Sequence, residues 1–127
     1  MKAFYNYVTE QLSSLGFPVY QDFAPPRTVP SFIVYDFTIN MHSKMFTGDE
    51  LIIGDLNVTL WMESERIDLL QDNLRLIGNL LDKKRFTLID YNKKVSGSIL
   101  LVKGPTIRKV VGGYLNGTLT FSTHLSM

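Results

Sequence analysis

Three stretches decide the fold: SFIVYDFTINM (residues 31–41), LNVTLWMES (residues 56–64) and SERIDLLQDNLRLIGNLLDKKRF (residues 64–86). In the first, a period of two puts Ile33, Tyr35, Phe37, Ile39 and Met41 on one face of an extended chain. Phe32, Val34, Asp36, Thr38 and Asn40 take the other face, which turns polar toward its end. Residues 42–50, HSKMFTGDE, are polar and end on a Gly-Asp pair, so they read as a long hairpin loop. Residues 51–62 form the returning strand, with Ile52, Leu56, Val58, Leu60 and Met62 largely on one face and Gly54 as a candidate bulge. The third stretch changes period. Ile67, Leu70, Leu74, Ile77 and Leu81 recur at helical spacing, and Leu69, Leu76 and Leu80 widen the apolar arc beyond one seam, which asks for cover on more than one side. A helix over 64–82 follows, with Ser64 as N-cap, Glu65 and Asp68 at the positive end of its dipole, and Lys83, Lys84 and Arg85 past its last turn. Gly78 inside it costs about 1 kcal/mol relative to alanine; either another backbone comes close there or the cost is tolerated.

Working outward, Phe4, Val8, Leu12 and Leu15 predict a helix over 2–15 that stops at Gly16. Phe17 to Gln21 reads as a short strand, placed at an edge or a start by Pro18, and Pro25, Pro26 and Pro30 stiffen the loop that follows. Beyond the second helix come a strand from Phe86 to Tyr91, a turn at Asn92-Lys93-Lys94 and a strand over 95–103. Gly104-Pro105 breaks that strand, 105–113 is a basic connection ending in Gly112-Gly113, and 114–125 alternates Leu115, Leu119, Phe121 and Leu125 with Asn116, Thr118, Thr120, Ser122 and His124. The order is α-β-β-β-α-β-β-β: a single α+β domain over 1–127, two main helices packed on a mostly antiparallel sheet.

Composition narrows the function. The chain has 127 residues, 45% hydrophobic and 20% charged, the balance of a globular domain with one real core. No apolar run reaches the roughly 18–20 residues of a membrane span, and the N-terminal stretch lacks the apolar segment of a secretory signal. The absence of cysteine removes disulfides, thiolate zinc sites and cysteine nucleophiles together, and fits an intracellular assembly environment. His42 and His124 are far apart, and neither has a second ligand at i+3 or i+4, so no metal site is expected. No Gly-x-Ser-x-Gly elbow exists. The acid pairs Asp49-Glu50 and Glu63/Glu65 lie where loops and helix starts place acids, and Gly112-Gly113 follows Lys109 without phosphate-loop spacing. The expectation is a protein that is not an enzyme, with no catalytic residues and no cofactor.

Charge is unevenly distributed. Residues 1–82 balance to −6 and residues 83–127 to +7, within an overall +1. The basic side chains of the second part are Lys83, Lys84, Arg85, Lys93, Lys94, Lys103, Arg108 and Lys109. Solvated loops account for such a run. So does a surface of two signs, through which copies meet head to tail in contacts that close into rings. A third reading is a small nucleic-acid-binding module that faces phosphates with this stretch. Only Phe86 and Tyr91 interleave with it, however, and the pI of about 8.0 is low for a dedicated binder.

The apolar strand, the long polar hairpin, the second strand and the amphipathic helix that follows at once, flanked by a leading helix and terminal strands, resemble the tail terminator or tail-completion (head–tail joining) proteins of long-tailed bacteriophages. The match is of element order, size and texture over nearly the full chain rather than of a signature motif. It implies a ring of copies, commonly six, at the head-proximal end of the tail, assembled in the host cytoplasm. Such a ring stops tail-tube polymerisation and offers a docking face to the head connector. Its partners are further copies of itself, the tube protein and the connector; DNA passes through the opening without specific binding, and no membrane is involved. Another minor tail or connector protein is the near alternative. On either reading the expected oligomer interface is Leu69, Leu76 and Leu80 on the helix, with Met45, Phe46, Asp49 and Glu50 on the hairpin. Met45 and Phe46 are its apolar anchors, and the hairpin faces a neighbouring subunit or the tube.

Overall fold

The computed structural model describes residues 1–110 and 112–127. Among these residues two helices, α1 (Lys2–Ser13) and α2 (Ile67–Leu81), are each followed by three strands: β1 (Val19–Gln21), β2 (Phe32–Lys44) and β3 (Glu50–Glu63) after the first, β4 (Lys84–Asp90), β5 (Lys93–Val110) and β6 (Tyr114–Ser126) after the second. The strands form one sheet in the order β1-β2-β3-β6-β5-β4, antiparallel except where β1 pairs parallel with β2. The chain has the α+β class and element order that its periodicities dictate.

Both helices cover one face of the sheet, and one core joins them to it: Phe4, Val8 and Leu12 from α1, Leu70, Leu74, Ile77 and Leu81 from α2, and Ile33, Leu56, Val58, Leu119 and Phe121 from the strands. Phe4 touches both Phe37 of β2, with ring centroids 5.1 Å apart, and Phe86 of β4, at 6.0 Å. β4 is one end of the sheet order and β2 is next to the other end, so the sheet curls around α1. The Tyr35 hydroxyl fixes the helix in place by donating to the Tyr5 carbonyl oxygen at 2.9 Å, and it lies 2.7 Å from Thr9 Oγ1. Burial pushes the phenol of Tyr35 above its ordinary pKa, and the hydrogen bond with Thr9 partly offsets the rise. Among the described residues no helix lies on the opposite face. Across it runs a polar ladder in which Asn57 Nδ2 donates to Asp36 at 3.0 Å and Thr120 donates to Asn57 Oδ1 at 2.8 Å, with Thr59 and Thr118 in contact at 2.9 Å.

Several local expectations give way. The polar stretch 42–50 is not a long loop: β2 runs to Lys44 and β3 starts at Glu50, leaving a tight turn between them. Asn40 is an extra residue in β2, opposite the step from Gly54 to Ile53, so the bulge lies across from Gly54 rather than at it. The bulge inverts parity, and Met41 pairs with Ile53 on the open face instead of sharing the face of Ile33. Ser64 does not cap α2. Its backbone N–H is taken by the Gly113 carbonyl at 2.8 Å, the helix begins at Ile67, and Ile67 lies exposed outside the core. No backbone approaches Gly78; a Cβ there would meet only Leu101 and Leu119 side chains, both at 3.8 Å. Gly104-Pro105 does not end β5, because two register shifts, between Leu101 and Lys103 and between Lys103 and Thr106, absorb the pair within a continuous strand. The preceding turn is the two residues Tyr91-Asn92, both at positive φ, so Lys93 and Lys94 belong to β5. Within the supposed 105–113 connection, residues 105–110 are strand and residue 111 lies outside the described residues.

Candidate assembly surface

The β2–β3 hairpin ends in a turn over residues 45–49, just beyond the last pairs of β3 with β2 and β6. Its turn closes through the Met45 N–H donating to the Asp49 carbonyl at 2.8 Å and the Gly48 N–H donating to the Met45 carbonyl at 3.0 Å. Gly48 takes φ +90, a value glycine reaches without steric cost, and the Thr47 hydroxyl donates to the Asp49 carboxylate at 2.9 Å. These bonds leave Phe46 nowhere to pack: it is fully exposed, with Met45 beside it and Met41 and Ile39 exposed along the hairpin. Single exposed apolar residues are ordinary on protein surfaces, but a rigid turn tipped by an aromatic ring is a contact in waiting.

Glu50 sits at the base of this hairpin and is engaged within the chain. His42 Nε2 lies 2.9 Å from one carboxylate oxygen; Lys93 Nζ donates to the other at 3.2 Å, and Lys44 Nζ stands 4.0 Å away. The His42 hydrogen bond, then that of Lys93, holds the Glu50 carboxyl below its ordinary pKa. The carboxylate therefore braces β2 against the start of β5. Asp49, one residue earlier, is exposed.

On α2 the three leucines separate. Leu69 and Leu80 are partly buried against the core of their own chain, while Leu76 is 51% exposed. Between α2 and the bulged part of β5 lies a cavity of about 480 Å³, lined by Leu74, Gly78, Leu101, Pro105, Ile107 and Leu119 and also by the polar side chains of Gln71, Arg75, Asn79 and Asp82. Two features open it. Gly78 brings no side chain, and the bulges around Gly104-Pro105 displace β5 from its regular course. Sequence reading misses this cavity because it treats Gly104-Pro105 as a strand end. The available signal was a glycine in the buried stripe of α2 together with a Gly-Pro pair in an otherwise extended run.

The basic residues do not share one face. Strand alternation and pairing put Arg85, Lys94, Lys103 and Arg108 on the open face, and Lys84, Lys93 and Lys109 on the helix side, with Lys83 in the α2–β4 turn at φ +62. On the open face the two signs stand on different strands, although Asp36, Lys103 and Arg108 line one pocket. Asp36 and Asp55 stand on β2 and β3, the four basic residues stand on β5 and β4, and the neutral Asn, Thr and Ser side chains of β6 lie between. Among the described residues no group of three or more His, Asp and Glu side chains is placed to hold a metal ion, and no helix is long and apolar enough to cross a membrane.

The fold has solved counterparts. A chain from the virion of a native gene transfer agent particle superposes with a TM-score of 0.71 at 12% identity, over 94% of this chain and 92% of that one. A second solved chain gives a TM-score of 0.58 at 12% identity, over 98% and 91%. At this identity the likeness is one of fold. No protein-family model and no curated protein matches the chain.

Proposed function

We propose that this chain is a structural, non-enzymatic component of a phage-like virion, acting as one compact domain. The observation that carries the reading is the likeness to the gene transfer agent virion chain, which spans nearly the whole of both chains rather than a shared fragment. The exposed hairpin tip supports it, as does an open sheet face that carries acids on β2 and β3 and bases on β5 and β4, with Asp36, Lys103 and Arg108 meeting around one shared pocket, since charged and apolar surface of this kind meets other proteins.

Within that class, the particular role we infer is that of a tail terminator. Copies form a ring, commonly of six, that caps the tail tube, stops its polymerisation and receives the head connector. Element order and size support this role, as does a two-signed surface suited to head-to-tail contacts between like subunits. The position of the protein on the particle tests it. Labelled protein is expected at the head-proximal end of the tail; a location along the tube or at the distal tip excludes the terminator role.

A further inference from the structure

We infer that the pocket at the start of β4 binds the phosphodiester backbone of double-stranded DNA, without regard to base sequence. The pocket has a volume of about 380 Å³ and is lined by Lys83, Lys84, Arg85, Ser98, Ile99 and Leu100. β4 ends the sheet, so the pocket wraps a free strand edge, and Lys84 from the helix side and Arg85 from the open face both line it. Its charge is unbalanced. No acidic side chain lines it, and among the described residues none of its three cations forms an ion pair. Asp82, the acid next in sequence, already accepts from the Leu101 N–H at 2.8 Å and lines the α2–β5 cavity instead. The neighbouring basic residues are balanced: Lys103 and Arg108 share a cavity with Asp22 and Asp36, Lys94 shares one with Asp49 and Glu50, and Lys93 donates to Glu50.

A cleft lined by one sign of charge concentrates its counter-ion. The kind of anion follows from the lining. A lone carboxylate or free phosphate leaves part of three converging cations unmatched, whereas a DNA strand carries one charge per about 3.4 Å of helix axis and brings several within reach. The donors suit phosphate: an arginine fork, two ammonium groups and the Ser98 hydroxyl are the groups that hold backbone oxygens. Leu100, 50% exposed in the same wall, offers apolar surface that a sugar covers and an inorganic anion does not. Lys83, Lys84 and Arg85 are all exposed at the sheet edge, so a rod passing that edge reaches them without entering the fold. No aromatic ring lines the pocket, so it lacks the stacking platform of a single-strand binder, and contacts to phosphate alone carry no sequence information.

Fluorescence anisotropy of the full chain with labelled duplexes of about 20 base pairs, in two unrelated sequences and between about 50 and about 200 mM salt, tests the site. Both duplexes are expected to bind alike, with affinity falling steeply as salt rises. Lys84→Gln and Arg85→Gln, at exposed positions and checked by circular dichroism, should each weaken both duplexes equally and reduce the slope of log affinity against log salt by about one; Arg85→Lys should keep the slope. Lys103→Gln, in a cavity already balanced by acids, is the control and should leave the slope unchanged. Unlabelled duplex should compete far better than polyglutamate of equal total charge, and inorganic phosphate should compete no better than chloride at equal ionic strength. Absence of duplex binding at about 50 mM salt, or an equal effect of Lys103→Gln and Lys84→Gln, overturns the site. Polyglutamate competing as well as DNA overturns the assignment in favour of an acidic protein segment, and displacement by phosphate alone overturns it in favour of a free anion. Each of these failures leaves the virion reading standing, because assembly is measured separately.

Discussion

The Asp82 carboxylate accepts a hydrogen bond from the Leu101 backbone N–H at 2.8 Å, joining the end of α2 to β5 at the point where β5 loses register with β6. A bulge leaves a backbone donor without its ladder partner, and an unpaired buried donor carries its full desolvation cost. Asp82 satisfies that donor and in doing so fixes one wall of the α2–β5 cavity, since both residues line it.

Replacing Asp82 by alanine is expected to cost about 1–3 kcal/mol, because Leu101 N–H is left without its acceptor. Asp82→Asn keeps an acceptor oxygen and should cost less. Urea denaturation of both variants measures the difference, and equal destabilisation would show that the charge rather than the hydrogen bond matters.

Gly54→Ala should destabilise by about 1–3 kcal/mol through overpacking. A Cβ at this position would stand 2.5 Å from the Thr38 carbonyl oxygen and 2.6 Å from Cζ of Phe37. Gly104→Ala is the control, with nothing within 4 Å of the added atom, and is expected to stay within about 0.5 kcal/mol of the parent. Thermal denaturation of the pair checks both.

Tyr35→Phe removes the hydroxyl that ties β2 to α1 through Tyr5 and Thr9. The expected loss is about 1–2 kcal/mol, and hydrogen exchange should quicken most in α1, whose carbonyl at Tyr5 loses its partner.

Acid should loosen the hairpin base. The folded-state pKa of Glu50 lies below its unfolded value, so its contribution is fully present above the unfolded carboxylate pKa and disappears as pH falls through the folded one. Protection factors at residues 44–50, taken relative to the slower intrinsic exchange at low pH, are expected to fall selectively on acidification. Glu50→Gln should show that loss of protection already at neutral pH, with little further change in protection on acidification.

Much of this architecture is legible in side-chain period. Leu115, Leu119, Phe121 and Leu125 alternate without interruption and all are buried, and the stripe Leu70, Leu74, Ile77 and Leu81 faces the core as its spacing requires. Period fails where an inserted residue shifts it. Nothing local distinguishes Asn40 from its neighbours, yet that one residue sends Met41 to the open face. Likewise Gly104-Pro105 has the chemistry of a strand end, and only pairing with β6, a segment further along the chain, carries β5 through it. Ser64 does not cap because the helix starts three residues later, at Ile67, while the Ser64 backbone N–H is held by the carbonyl of Gly113, 49 residues away. For the assembly surface, the two apolar residues in an otherwise polar turn point to the tip. The cavity needs the helix glycine and the strand bulge brought together in space, which no local pattern encodes.

The most direct test of the central claim is electron microscopy of tail tubes polymerised with and without this protein. The expected result is a closed ring of density at one end of each tube and a defined tube length, with tubes growing past that length when the protein is left out. Bare tube ends and an unchanged length distribution in its presence would contradict the account.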